Sequence, residues 1–253
     1  MLAALAAAAS CGLSEGFGGD PIDPGSPLYG LRRAAQTGVD GRVSEPSDLA
    51  FDPATGTFWT VSDQRGTVHR IGADGRAVGE PIDLHGKDLE GVALDPVTGH
   101  LFVADEGASE LVEATRDGAV VGRYPIAVKT NNSGIEGVAY DPAKDGFVLV
   151  KERNPAELVF VDRKGHITSH VEVRTEDLSA VTVSADGSSI FVVARFEEAV
   201  LEVDRSGRRR NRLALNVPAV EGLAFDGDRL FAVADLGAKA PGVLYEFSKE
   251  GSR

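Results

Sequence analysis

Residues 87–106 read KDLEGVALDPVTGHLFVADE and contain two short apolar runs joined by a turn. The DPVTG segment at residues 95–99 predicts the turn, because proline presets φ and glycine accepts a positive φ. The apolar runs on either side have strand length, so the stretch predicts an antiparallel hairpin. A hairpin brings its open ends together, and Glu90 and Glu106 should therefore lie at the same edge of a sheet.

The same unit recurs along the chain. It opens with SDLAFD at Ser47, EGVALD at Glu90, EGVAYD at Glu136, SAVTVS at Ser179 and EGLAFD at Glu221, at spacings of 42 to 46 residues. Each copy continues with a glycine-containing turn and two further apolar strands, and all but the last then reach a fourth strand. Repeats of about 40–50 residues with four strands are typical of β-propeller blades.

The two ends of the chain favour a closed ring over an open solenoid. The fifth unit stops after its third strand near Phe247, and Leu28–Val39 upstream of the first unit has the pattern of an unpaired fourth strand. Pairing these two segments would remove the exposed sheet edges. We therefore predict an all-β, five-bladed propeller over residues 28–253, closed by an N-terminal strand and with a narrow central channel. The alternative is six blades, if the N-terminal segment builds more than one strand.

Composition excludes several classes of function. The 253 residues are 42% hydrophobic and include 30 glycines and 12 prolines, which suits one turn-rich domain. The net charge of −13 argues against nucleic acid and against an anionic membrane surface as partners. No apolar run reaches the length of a membrane-spanning helix.

The N-terminus resembles the end of a bacterial lipoprotein signal peptide. Residues 1–10, MLAALAAAAS, are apolar and small, and the only cysteine of the chain, Cys11, follows them. On this interpretation residues 1–10 are a signal remnant and residues 11–27 a flexible tether rich in Gly, Ser, Asp and Pro. The protein would then be periplasmic or at the cell surface, touching the membrane only through a lipid on Cys11. The alternative is a helical stub with an incidental thiol.

Ring closure would gather the open ends of all five hairpins on one rim. The pairs that should meet there are Ser47 with Asp63, Glu90 with Glu106, Glu136 with Glu152, Ser179 with Arg195, and Glu221 with Asp235. Crowded carboxylates repel one another unless a cation lies among them or some remain protonated. Oxygen ligands without paired cysteine or histidine favour Ca²⁺. The candidate metal ligands are Asp63, Glu90, Glu106, Glu136, Glu152, Glu221 and Asp235, and Arg195 is the candidate contact for an anion or a partner. The alternative is that these acids are solvated or paired with basic neighbours.

Four segments carry a resemblance to a known family. They are KDLEGVA at 87–93, GIEGVA at 134–139, VKER at 150–153 and VEGLA at 220–224. With them the chain resembles the SdiA-regulated family of bacterial envelope β-propellers, which includes YjiK-like and CarP-like proteins. The resemblance implies a periplasmic or membrane-anchored, calcium-linked propeller with no established reaction. The departure at Ser179 and Arg195 favours an off-axis site among Glu90, Glu106, Glu136 and Glu152.

Three functions follow as hypotheses. The first is a non-catalytic envelope protein that binds Ca²⁺ at the acidic funnel formed by the rim carboxylates and contributes to calcium handling or sensing. The second is a metal-dependent phosphoesterase or lactonase using the same rim, although the sequence contains no nucleophile elbow and no phosphate-binding glycine loop. The third is a scaffold whose rim binds an envelope protein.

Overall fold

The computed structural model describes residues 21–128, 134–237 and 240–251. The strands in chain order are β1 (Leu31–Gly38), β2 (Pro46–Asp52), β3 (Thr57–Ser62), β4 (Thr67–Ile71), β5 (Ile82–Asp83), β6 (Leu89–Leu94), β7 (Leu101–Asp105), β8 (Glu110–Ala114), β9 (Val120–Pro125), β10 (Ile135–Asp141), β11 (Gly146–Lys151), β12 (Glu157–Val161), β13 (Ile167–Glu172), β14 (Ala180–Val183), β15 (Ile190–Ala194), β16 (Ala199–Val203), β17 (Arg209–Ala214), β18 (Val220–Asp226), β19 (Arg229–Ala234) and β20 (Val243–Lys249). A 3-10 turn, Asp63–Arg65, follows β3. None of the described residues forms a helix long and apolar enough to cross a membrane.

The strands form five antiparallel sheets of four strands each, and each sheet is one blade. Blades 1 to 4 consist of β2–β5, β6–β9, β10–β13 and β14–β17, and blade 5 consists of β18, β19, β20 and β1. The first strand of each blade lies beside the first strands of both neighbouring blades, and blade 5 lies beside blade 1. The sheets therefore close into a five-bladed β-propeller, which confirms the predicted fold.

Ring closure depends on the pairing of β1 with β20. The register places Leu31 opposite Lys249 and Gly38 opposite Val243, so the predicted N-terminal strand completes blade 5. The segment before β2 contributes this single strand in the described residues, and the six-bladed alternative is therefore wrong. Closure by strands from both chain ends leaves no blade with an unpaired third strand.

A ring of phenylalanines fills the spaces between blades. The second strand of every blade carries one near its start, and all five are at most 1% exposed: Phe58, Phe102, Phe147, Phe191 and Phe231. The rings of Phe102 and Phe147 have centroids 4.2 Å apart, and those of Phe58 and Phe231 lie 4.7 Å apart. Each pair joins two neighbouring blades, so the core is distributed around the ring and fixes the relative positions of the rim loops.

Residues 21–27 pack on the propeller, although the sequence assigns them to the flexible tether. Ser26 is buried, and its hydroxyl donates to Oε2 of Glu202 at 2.5 Å. The backbone N–H of Asp23 donates to Oδ1 of Asn211 at 2.8 Å. The tether prediction is wrong for these residues because blade 4 supplies partners for their polar groups. The predicted signal remnant 1–10, with Cys11 and the rest of the tether to residue 20, lies outside the described residues.

Candidate functional site

Three rim glutamates owe their position to β-bulges. The pairing of β6 with β7 skips one residue between Leu89 and Gly91, and that residue is Glu90. The same irregularity occurs at Glu136 in β10 and at Glu221 in β18. A bulge leaves the extra residue unpaired in the ladder and redirects its side chain. The repeat therefore presents a half-buried glutamate on the same rim in blades 2, 3 and 5, as the sequence predicted.

In blade 1 the corresponding irregularity sends an aspartate into the propeller axis. The register shifts between Ser47 and Ala50, and Asp48 has a φ of 57°. The buried Oδ2 of Asp48 accepts backbone N–H groups from Val92 at 3.0 Å and from Val138 at 3.1 Å. One carboxylate thus joins the first strands of blades 1, 2 and 3 near the propeller axis. Burial raises the pKa of Asp48 well above its usual range, although its backbone donors lower it.

Asp63, Asp88 and Glu90 form the acidic centre of the rim. Each offers a carboxylate oxygen, and these three oxygens lie within 4.8 Å of one another. Asp63 begins the 3-10 turn after β3, whereas Asp88 immediately precedes β6 and Glu90 occupies the bulge of that strand. The centre therefore lies between blades 1 and 2. It contains two predicted ligands, Asp63 and Glu90, and Asp88, which was not among the predicted ligands.

The surroundings of the centre raise the pKa values of two of its acids, Glu90 and Asp63. Burial, followed by the charges of Glu136, Asp63 and Asp88, raises the pKa of Glu90 to about 10. A hydrogen bond from Ser47 partly opposes this rise. Burial and the neighbouring Asp88 raise the pKa of Asp63 to about 7. At an effective dielectric near 20, two ionised groups 4.8 Å apart repel by about 3 kcal/mol. The fully ionised centre is therefore unfavourable unless a cation compensates its charge.

Two further predicted ligands lie beside the acidic centre. Burial raises the pKa of Glu136 to about 8, with contributions from the charges of Glu152, Glu106 and Glu221. Burial, then the charge of Asp88, raises the pKa of Glu106. The Glu106 side chain lies over Gly134, where an added Cβ would overlap its carboxylate. Glycine at this position therefore allows Glu106 to fold back over the rim.

The opposite side of the rim is organised by Arg195. Its guanidinium lies 2.7 Å from Glu221, 3.0 Å from Glu152 and 3.4 Å from the buried Asp177. Glu152 also pairs with Arg153 at 2.9 Å. We call this group the arginine side, and two arginines compensate most of the charge of its three carboxylates.

The structure therefore separates two members of the predicted off-axis set, Glu90 and Glu152. Glu90 lies with Asp63 and Asp88, whereas Glu152 pairs with two arginines. The Arg195 contact to an anion or a partner stays a prediction, and the structure gives this guanidinium three carboxylate neighbours. Asp235 is half-buried and accepts the backbone N–H of Gly237 at 2.8 Å.

Five four-stranded antiparallel blades closed into a ring define a β-propeller, and its acidic centre of Asp63, Asp88 and Glu90 lies on one face. The chain belongs to the SdiA-regulated family, whose sequence profile matches residues 29–248. This match covers all five blades and confirms the resemblance found in the sequence.

Solved structures support the fold. Glutaminyl cyclase from Myxococcus xanthus matches with a TM-score of 0.66 at 16% identity, over 86% of this chain and 96% of the cyclase. Virginiamycin B lyase from Staphylococcus aureus matches with a TM-score of 0.52 at 15% identity, over 81% of this chain and 66% of the lyase. A chain of a nidogen/laminin complex matches with a TM-score of 0.55 at 17% identity, over 76% of this chain and 73% of its own length. Identities this low show a shared fold and carry no activity over to this chain.

Proposed function

We propose that this protein is a non-catalytic cell-envelope β-propeller that binds Ca²⁺ at the acidic centre and contributes to calcium handling or sensing. The observation that carries the proposal is the convergence of Asp63, Asp88 and Glu90, whose carboxylate oxygens lie within 4.8 Å of one another. Repulsion among ionised carboxylates at this distance is relieved when a divalent cation binds between them. The raised pKa values of Asp63 and Glu90 are consistent with this repulsion.

The donors at the centre fit a hard cation. They are three carboxylates, with the Ser47 hydroxyl in contact with Glu90. Calcium accepts several oxygen ligands in irregular arrangements, whereas magnesium requires nearly ideal octahedral geometry and zinc favours nitrogen and sulfur. A bound Ca²⁺ would supply the positive charge that Arg195 supplies on the other side of the rim.

The family and the N-terminal sequence support the proposed location. Members of the SdiA-regulated family are expected in the cell envelope, and Cys11 follows a run typical of lipoprotein signals. We place the protein in the periplasm or at the cell surface, held by a lipid on Cys11. The partners proposed are a divalent cation and an envelope protein.

Calcium titration of the purified protein tests the proposal. Melting curves recorded over micromolar to millimolar Ca²⁺ should shift upward, because a ligand at a hundredfold excess over its Kd stabilises the folded state by about 2.7 kcal/mol. Asp88→Asn should abolish the shift. Glu176→Gln, an exposed acid close to the rim, is the matched control and should keep it. An unchanged melting curve at several millimolar Ca²⁺ contradicts the proposal.

A metal-dependent phosphoesterase or lactonase is the second candidate. Glu136 favours it, because a carboxyl with a pKa of about 8 near the middle of the rim has the proton affinity of a general acid or base. A screen of phosphate monoesters and lactones with Ca²⁺ present, repeated with Glu136→Gln, separates the two functions. Turnover that depends on Glu136 would favour the hydrolase, and activity without such dependence would exclude this mechanism.

A scaffold is the third candidate, and two exposed apolar side chains favour it. Phe196 follows Arg195 and is 60% exposed, and Leu236 on the neighbouring rim loop of blade 5 is 44% exposed. Apolar side chains on adjacent loops are suited to a protein partner. Copurification of an envelope protein that is lost with Phe196→Ser and is independent of Ca²⁺ would favour the scaffold over the calcium protein.

A further inference from the structure

The face opposite the acidic centre carries a second ring of repeat-related side chains. The last apolar residue of each first strand is half-buried, and these five residues are Phe51, Leu94, Tyr140, Val183 and Phe225. They line a cavity of about 800 Å³, which we call the apolar funnel. Binding sites for small molecules have volumes of about 300–1,000 Å³ and are mostly apolar, with a few polar groups that orient the ligand.

Residues at the inner part and at the mouth of the apolar funnel are held in place. Val92 and Val138 line its inner part, and their backbone N–H groups are bound by Asp48 in the axis. Pro53 and Pro96 lie at its mouth, and the packed segment 24–27 forms one wall. The funnel is therefore lined by residues that are held in place before any ligand binds.

Ion pairs between neighbouring blades surround the funnel on three sides. An arginine in the outer turn of one blade binds the buried aspartate that ends the first strand of the preceding blade. The three pairs are Arg116 with Asp52 at 2.8 Å, Arg163 with Asp95 at 2.6 Å, and Arg205 with Asp141 at 2.6 Å. Each aspartate directly follows a residue of the apolar ring, so these pairs also hold the ring in place.

The junction between blades 4 and 5 lacks the aspartate of this pattern. Lys249 stands at the repeat position of the three arginines, and Ser184 stands where their aspartate partners stand. Both residues line the apolar funnel. Among the described residues no carboxylate lies within 4 Å of the Lys249 ammonium. The other charged lining residue is Asp228, on the exposed turn between β18 and β19.

We propose that the apolar funnel binds an amphipathic carboxylate, with its apolar body against the five-residue ring and its carboxylate on Lys249. The ligand carboxylate would take the place that an aspartate takes at the three junctions with an Arg–Asp pair. A lysine ammonium beside an apolar surface favours an anionic head group over a neutral or cationic one. This site is on the face opposite the acidic centre and does not rest on the proposed calcium function.

Isothermal titration with three probes of equal chain length tests the proposal: decanoate, decanol and decyltrimethylammonium, each below its aggregation limit. Decanoate should bind the full chain saturably and about tenfold more tightly than decanol, and the cationic probe should bind least. Lys249→Gln should reduce decanoate affinity to that of decanol. Ser184→Asp should do the same, because it supplies Lys249 with an internal partner as at the other junctions.

Val97→Asp is the matched control, since Val97 is 70% exposed on a turn of the same face in blade 2. It adds the same charge as Ser184→Asp and should leave the decanoate preference unchanged. Melting curves of each variant confirm that it is folded. Equal affinities of wild type for decanoate and decanol, or no saturable decanoate binding, would overturn the proposal. So would a preference that persists in both Lys249→Gln and Ser184→Asp.

Discussion

Glu90→Gln should stabilise the calcium-free protein at neutral pH, although it replaces a largely buried residue. The pKa of Glu90 is raised from 4.5 to about 10, chiefly by burial. At about pH 7 this carboxyl is therefore protonated in the folded state and ionised in the unfolded chain. Glutamine is neutral in both states and nearly the same shape, so the substitution removes this difference in proton binding.

The magnitude follows from the two pKa values. Between 4.5 and neutral pH lie about 2.5 pH units, and each is worth about 1.4 kcal/mol of unfolding free energy. The folded state binds the extra proton, so the unfolding free energy of the wild type falls as pH rises from 4.5 towards 10. Glu90→Gln should therefore gain about 3 kcal/mol over wild type at pH 7. The gain should vanish near pH 4.5 and grow further towards about pH 9.

Urea unfolding in the presence of a chelator, at about pH 5, 7 and 9, measures this difference. Glu176→Gln is the matched control, because Glu176 is exposed near the same rim, and its effect should stay within about 0.5 kcal/mol at each pH. Excess Ca²⁺ should stabilise wild type and leave Glu90→Gln unchanged. A variant less stable than wild type at pH 7, or a difference that is constant with pH, would refute the reasoning.

Three further results are expected. The apparent Ca²⁺ affinity should rise with pH up to about pH 10, with measurable proton release, because Asp63, with a pKa of about 7, and Glu90, with a pKa of about 10, must lose protons to bind the ion. A flat pH profile by calorimetry would contradict this. Arg163→Leu should lower the free energy of unfolding in urea by about 2–4 kcal/mol, because it leaves Asp95 buried without its partner. The double variant with Asp95→Leu should recover part of the loss, and a double variant less stable than the single one would argue against the pair. In the same assay, Asp48→Ala should lower the free energy of unfolding by about 2–5 kcal/mol, because it leaves backbone N–H groups of three blades unpaired. Asp48→Asn should lower it less, because its amide oxygen still accepts hydrogen bonds, and equal losses would contradict the role of the acceptor.

Most of the fold could be predicted from the sequence because each blade carries its own local signals. The third strands of blades 2 and 3, Glu110–Ala114 and Glu157–Val161, are among the further apolar strands predicted for each copy. The turn between Leu94 and Leu101 follows from its proline and glycine. Ring closure followed from counting, since one strand was missing at one end of the chain and one was left over at the other.

The acidic centre could be predicted only in part. The repeat placed Glu90 on the rim, but its neighbours depend on contacts between loops that are distant in the chain. Asp88 joins the centre because the bulge at Glu90 redirects that side chain, and no local signal in the sequence marks a bulge. The pairing of Arg195 with Glu152, Asp177 and Glu221 likewise needs three loops to be placed at once. The composition of residues 21–27 gave no sign of their buried partners on blade 4.

A crystal structure from calcium-containing buffer, with anomalous data to identify the ion, tests the central claim most directly. The account predicts a Ca²⁺ bound by carboxylate oxygens of Asp63, Asp88 and Glu90 between blades 1 and 2. It also predicts that Arg195 keeps its contacts to Glu152 and Glu221. An acidic centre without calcium at saturating concentration, or an ion held on the arginine side instead, would contradict it.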